Sequence, residues 1–264
     1  MNTVADASTL LADKRGLVLG VSSRESVGFH TAAALRAHGA DVAVSLRRGR
    51  SGFMSELSDD GYCAVELDVK EPGSIERALE RVGQRFGRLD FLVHTLVHVP
   101  DGALGRAVTD LSETELGDAM EIGVRSLLVA ARHARPWLEK STTPRIVTLL
   151  SGGADFALPN YHLIGMVKAA LAAAVRYLAA ELGPAGILCN AVNFSMLETD
   201  AARRVIGAER TLQTRQHLAK RSMTHRPLVY ADVTRAIAFL VSPWCSNLTG
   251  EALLVDGGFS RSYF

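Results

Sequence analysis

The sequence predicts an α/β protein, a doubly wound, parallel seven-stranded sheet with helices on both faces. Short β-branched or leucine-rich runs alternate with longer helical patterns from Gly16 to the C-terminus, the pattern of strand–helix–strand crossover units. Hydrophobic residues make up 48% of the chain but aromatics only 6%, a balance suited to strands buried on both faces. No internal repeat or linker divides the 264 residues. A doubly wound fold of this size forms one core, so 1–264 is expected to be a single domain, with 1–14 as an N-terminal extension.

Taken in order, strands are expected at 17–21, 41–46, 62–67, 89–95, 145–150, 186–193 and 252–256, with helices in the gaps. Gly39 follows a helical pattern and suits a left-handed C-cap, and Gly183-Pro184 closes the helix that begins near Asn160. One stretch breaks the alternation. Residues 199–227 are polar and helix-forming, inserted after the sixth strand. At the carboxyl end of a parallel sheet such an insertion is expected to be a lid over the site.

A formal charge of +1 leaves no field that recruits nucleic acid or an anionic membrane, so a small ligand is expected. Cys63, Cys189 and Cys245 have no paired spacing, and the histidines His94, His98 and His162 belong to no ligand pattern; neither disulfides nor a metal site are expected. Met1 to Lys14 holds no long apolar run, and no later run of about 18 residues reads as a membrane span. The expectation is a soluble, unprocessed, cytoplasmic protein.

The first strand runs directly into Gly20-Val21-Ser22-Ser23-Arg24-Glu25-Ser26-Val27-Gly28 and then a helix. Glycines let backbone approach a pyrophosphate, and the free N–H groups of a helix start supply donors and partial positive charge. The spacing departs from the standard dinucleotide fingerprint, so a plain turn is the alternative. Where an NAD enzyme presents an acid after the second strand, Arg47, Arg48 and Arg50 stand instead. A guanidinium fork suits a 2′-phosphate, which points to NADPH over NADH; a solvated basic turn is the alternative. Asp68, after the third strand, either contacts adenine or caps the turn toward Pro72.

Tyr161 and Lys168 lie seven residues apart at the start of a long alanine-rich helix. At about 100° per residue both share one face, separated by about 10 Å along the axis. A lysine there can hold a cofactor ribose while its charge lowers the tyrosine pKa, and the phenol can donate to a carbonyl gaining negative charge. Without context, a buried tyrosine and a surface lysine would explain the pair as well.

Context comes from Pro159-Asn160-Tyr161 with its six-residue gap to Lys168, Lys168-Ala169-Ala170-Leu171, Val175-Arg176-Tyr177-Leu178-Ala179, Asn190-Ala191-Val192, and the ending Gly250-Glu251 through Val255-Asp256-Gly257-Gly258-Phe259-Ser260. On these, from Gly16 to Phe259, the chain resembles the short-chain dehydrogenases/reductases, a Rossmann-type superfamily, and within them the divergent enoyl-acyl-carrier-protein reductases. Ketone-reducing members place the lysine four residues after the tyrosine, here Gly165, and an asparagine near Gly123. Both absences favour enoyl reduction.

The resemblance implies that Tyr161 stabilises an enolate and Lys168 binds the nicotinamide ribose. Hydride goes to the β-carbon of an enoyl thioester on acyl carrier protein or coenzyme A, and a proton reaches the α-carbon through solvent. It implies Gly20, Ser26, Val27 and Gly28 at the pyrophosphate, Asp68 and Val69 at the adenine, and His94, Thr95 and Thr199 along the cofactor. Ser151, Gly152, Phe156 and Met196 would contact substrate. A C-terminal strand of this type implies a homotetramer.

Three departures stand out. Ser151-Gly152-Gly153 lacks the second tyrosine of many relatives, Val97 replaces a smaller residue, and Ser195-Met196 replaces a Gly-Pro pair. These keep two other readings open, a carbonyl or imine reductase of a specialised pathway and a non-catalytic NADP-binding protein. Finally, seven basic residues (Arg203, Arg204, Arg210, Arg215, Lys220, Arg221 and Arg226) face one acid, Glu209, within 203–226. They attract an acidic carrier or coenzyme A phosphates, or else form a solvated helix face.

Overall fold

A computed structural model of the chain describes residues 9–262 apart from 101 and 105. The seven strands are β1 (Arg15–Leu19), β2 (Asp41–Leu46), β3 (Cys63–Glu66), β4 (Phe91–His94), β5 (Arg145–Ser151), β6 (Leu188–Phe194) and β7 (Ala252–Val255). They form one sheet in the order β3-β2-β1-β4-β5-β6-β7, and each described neighbour pair is parallel. The order reverses between β1 and β4, which opens a crevice at the carboxyl ends of those strands. Strand β1 starts and stops two residues earlier than expected, because the chain leaves the strand at Gly20 (φ +94°).

Alternation along each strand builds two cores. Leu17 and Leu19 of β1 face one side with Leu79, Leu127 and Leu171. Val18 faces the other with Leu35, Leu57 and Leu240. Helices α3 (Ser74–Phe86), α4 (Glu113–Met120), α5 (Ser126–Leu138) and α6 (His162–Leu182) cover the first face. The second is covered by α1 (Val27–Ala37), α2 (Ser51–Asp59) and α9 (Tyr230–Val241).

Caps set the boundaries. Ser26 caps α1 by accepting from the Phe29 N–H, Ser112 and Glu115 form a reciprocal capping box on α4, and Gly39 has φ +95° after α1. Between α4 and α5 the helix widens into a π-turn, Glu121–Arg125. Residues 1–8 of the expected extension lie outside the described residues. The rest is no loose arm: Leu11 is fully buried, and Lys14 donates to Thr143 at 2.7 Å.

The inserted segment is helical as expected, forming α7 (Asp200–Ile206) and α8 (Ala208–Arg221) with a break at Gly207 (φ +84°). Helix α6 with its following turn is long and apolar enough by composition to cross a membrane. Its alanine-rich length instead serves packing: Leu163, Val167 and Leu171 sit in the core beneath β5 and β6.

Candidate active site

The glycine loop is shaped for close approach. A Cβ on Gly28 would stand 3.0 Å from both the Gly20 carbonyl oxygen and Thr95 Oγ1, and one on Gly20 would meet Leu96 and Thr95 at 2.9 Å. Thr95 ties the floor together by donating to the Leu19 carbonyl at 2.7 Å. Ser26 is spent on the loop itself, donating to the Ser23 carbonyl and accepting from Phe29 N. The N–H groups of Val27 and Gly28 have no intrahelical acceptor, as in any first turn. This cradle fits the pyrophosphate of a dinucleotide.

At the adenosine end the arginines are already engaged. Arg47 Nε lies 3.4 Å from Asp68 Oδ2, and Arg48 lies 3.5 Å from Glu71, which also binds Arg77 at 2.5 Å. Arg50 folds back and donates to the Ser22 carbonyl at 2.6 Å. Asp68 both pairs with Arg47 and caps its own turn, accepting from the Lys70 N–H at 3.0 Å. Val69 is half-buried and packs against the first core.

Beyond β5 the chain assembles the reactive centre. Tyr161 Oη lies 3.1 Å from Ser151 Oγ. Burial raises the Tyr161 pKa, and the Ser151 hydrogen bond lowers it in part. The expected effect of the lysine charge on this phenol is therefore corrected: the partner is Ser151. Lys168 is buried, donates to the Leu149 carbonyl at 2.8 Å, and has its pKa pushed down to about 8 by burial. An ammonium has three donors. A buried lysine held by one carbonyl and in no ion pair among the described residues can receive ribose hydroxyls.

The missing ketoreductase residues have a steric reason. A Cβ at Gly165 would meet the Gly153 carbonyl oxygen at 3.0 Å, and one at Gly123 would meet Val167 Cγ1 at 2.4 Å. Neither place has room for a lysine or an asparagine without moving backbone or core. Gly153 itself lies under the Tyr161 ring, 2.7 Å from Cδ1 to a built Cβ. Sequence reading missed the need for a glycine there, since a Gly-Gly pair after a strand signals any turn.

Two expected site residues have further partners in the structure. The His94 imidazole was expected along the cofactor, but it is buried, with Nδ1 3.1 Å from Thr148 Oγ1 and Nε2 2.7 Å from Ser126 Oγ. Burial, then the Lys168 charge, push its pKa down to about 3. Ser126 also donates to the Ile122 carbonyl at 2.6 Å, and Thr148 to the His94 carbonyl at 3.3 Å. His94 clamps β4 to β5 and α5. Met196 and Ser195 line a cavity of about 80 Å³ with Leu218 of α8, Arg226, Leu228 and Gly257. Val97, where relatives have a smaller residue, is 43% exposed.

The inserted segment is tied to the glycine loop, which the sequence did not reveal. Ser23 donates to Asp200 at 2.8 Å, Glu25 pairs with Arg203, and the Tyr230 hydroxyl lies 2.5 Å from the Glu25 carbonyl and 2.8 Å from that of Glu198. Thr199 caps α7, accepting from Ala202 N at 3.0 Å. Of the basic run, Arg203 and Arg215 pair with Glu198 and Arg226 with Asp232, while Arg221 lies over the Phe259 ring. Arg204, Arg210 and Lys220 are exposed and in no ion pair among the described residues.

Comparison with known proteins places these features. The family described as enoyl-(acyl carrier protein) reductase matches residues 20–260. Enoyl-(acyl-carrier-protein) reductase (NADH) 2 of Rhizobium meliloti is 30% identical over 256 residues, covering 95% of this chain and 93% of that protein. The NADH enzyme FabI of Neisseria meningitidis serogroup B is 33% identical over 256 residues, with 95% and 96% covered. The crystal structure of the Aquifex aeolicus enoyl-(acyl-carrier-protein) reductase (NADH) superposes with a TM-score of 0.90 at 29% identity, covering 97% and 99%. The expectation of NADPH is corrected by these relatives, which are named for NADH; in the structure Arg47 and Arg48 are exposed and pair with Asp68 and Glu71. With the glycine cradle, the six-residue gap from Tyr161 to Lys168 and a match over nearly its whole length, the chain belongs to the enoyl-(acyl carrier protein) reductase family.

Proposed function

We propose that this protein uses NADH to reduce the carbon–carbon double bond of an enoyl thioester. The observation that carries the reading is the placement of Lys168: it is buried under the Leu149 carbonyl, while the ketoreductase position Gly165 has no room for a side chain. Bound NADH supplies the hydride for the β-carbon. Tyr161 donates its proton in a hydrogen bond to the thioester carbonyl as negative charge develops there. Its raised pKa keeps the phenol protonated at neutral pH, and Ser151 fixes its rotor from the other side. The α-carbon takes its proton from solvent. Lys168 holds the ribose, and Gly20, Val27 and Gly28 hold the pyrophosphate, with Thr199 at the lid side. Ser151, Gly152 and Phe156 border the acyl group.

The test is consumption of NADH absorbance against a panel of enoyl and ketoacyl thioesters. Reduction of 2-enoyl thioesters supports the reading; turnover of ketones or imines alone overturns it. By calorimetry NADH is expected to bind more tightly than NADPH, and replacing Arg47 and Arg48 by alanine should leave NADH affinity within about fivefold, because exposed ion pairs contribute about 1 kcal/mol or less. Tighter binding of NADPH would contradict this.

The substrate is proposed to arrive on an acidic carrier protein, drawn by Arg204, Arg210 and Lys220, in the cytoplasm. Exposed charges act through encounter rate and are screened beyond roughly 8–10 Å in physiological salt. Reversing the three charges should therefore raise KM for carrier-bound substrate, and salt should do the same to the unmutated protein. A flat response leaves them a solvated face. Assembly as a homotetramer is proposed on the resemblance of the C-terminal strand β7, which stands at one edge of the sheet.

A further inference from the structure

Helices α1 and α7 each begin at a capping hydroxyl, Ser26 and Thr199. In both, the carbonyl just before the cap meets the same group: the Tyr230 hydroxyl lies 2.5 Å from the Glu25 carbonyl oxygen and 2.8 Å from that of Glu198. Because a peptide unit is planar, fixing the Glu25 carbonyl fixes the direction of the Ser26 N–H, which donates to the Ser23 carbonyl at 3.1 Å. The next two N–H groups, those of Val27 and Gly28, are the ones offered to pyrophosphate. The Glu198 carbonyl bears in the same way on Thr199, whose side chain accepts from Ala202 N at 3.0 Å.

The hydroxyl itself is held firmly. Tyr230 opens α9, where Asp232 accepts from the Val229 N–H at 3.0 Å and Val233 and Ile237 are fully buried. Its ring stacks on His30 of α1, with centroids 3.7 Å apart and planes 22° from parallel. Burial pushes its pKa up to about 12, so the phenol keeps its proton. A phenol has one proton to donate, and two carbonyls share it, so a shift of either segment alters the bond to the other. The ion pair across the same junction, Arg203 with Glu25, is open to water; such pairs hold little and weaken with salt. We propose that Tyr230 is a positioning residue for the cofactor: its hydroxyl sets the starts of α1 and α7 in one register and so aims the Val27 and Gly28 N–H groups at pyrophosphate. This rests on the NADH reading. The hydroxyl is spent on the two carbonyls, so its contribution falls on binding and not on the chemical step.

The experiment compares the unmutated protein with Tyr230→Phe, which keeps the ring on His30 and removes only the hydroxyl. It measures the calorimetric Kd of NADH and of ADP-ribose, kcat on 2-octenoyl-coenzyme A at saturating NADH, the melting temperature, and amide hydrogen exchange without cofactor. Tyr230→Phe is expected to weaken NADH roughly three- to tenfold, the range of one neutral hydrogen bond. ADP-ribose should weaken by the same factor, because it carries the pyrophosphate without the nicotinamide. In contrast kcat should stay within about twofold, and exchange should quicken at both caps, 26–29 and 199–203. A variant that melts lower yet binds both ligands within about twofold of the unmutated protein, less than one hydrogen bond is worth, refutes the role, as does exchange that quickens at one cap alone. If the unmutated protein binds NADH but reduces no enoyl thioester, the enoyl reading falls while the two Kd values still decide the role of Tyr230. If it binds neither NADH nor ADP-ribose, the cofactor reading and the role of Tyr230 fall together.

Discussion

Tyr161→Phe is expected to lower turnover of an enoyl thioester by roughly 10²–10³-fold, the usual loss when one well-placed oxyanion donor is removed. The variant keeps the ring that packs over Gly153 and removes only the hydroxyl that meets Ser151 at 3.1 Å. KM and NADH affinity should therefore change little, because the lost interaction matters most when charge has developed on the carbonyl oxygen. Steady-state kinetics on a folded, NADH-binding variant measures this. A tyrosine that only fills space would change the melting temperature and leave kcat where it was.

Lys168→Met should separate stability from function in opposite directions. The lysine pKa falls from 10.5 to about 8 on folding because burial disfavours the charged form. Below pH 8 the amine is protonated in both states, and at ~1.4 kcal/mol per pKa unit the fold carries a penalty of roughly 3 kcal/mol there. Between pH 8 and about 10.5 the unfolded chain binds more protons than the folded one, so stability from this group rises with pH until the penalty is gone. Methionine removes it at every pH. The variant without cofactor should melt higher than the unmutated protein at pH 7, on the order of 5 °C, and the gap should narrow as pH climbs past 8. NADH affinity should fall at least tenfold, since a charge-assisted hydrogen bond is worth about 1.5–3 kcal/mol. A variant that binds NADH normally would remove Lys168 from the cofactor site.

The architecture was legible in the chain because it rests on local signals. Alternating apolar runs, Ser26 before a helix, Gly39 after one and a polar insert after β6 each report their structure within a few residues, and the seven parallel strands follow from them. The spacing of Tyr161 and Lys168, and the glycines at 165 and 123, likewise marked the reactive helix and the missing ketoreductase groups. What the sequence by itself determined was therefore the order of the elements and the residue types available at the end of the sheet.

Tertiary structure decided which of those residues face the crevice and what they are paired with. His94 looked like a cofactor contact because it ends β4, yet its ring turns inward to Thr148 and Ser126. Arg47 and Arg48 looked free to bind a 2′-phosphate, but Asp68 and Glu71, 21 and 23 positions later in the chain, neutralise them. Ser151 was expected only as a substrate contact until the fold brought Tyr161 within 3.1 Å of it, and no local pattern joins Glu25 to Arg203 across 178 positions. The physical reason is common to all four. Periodicity and capping depend on neighbours a few residues apart, whereas charge pairing, burial and the sharing of a hydroxyl depend on three-dimensional proximity, which only the closed sheet and its crossovers create.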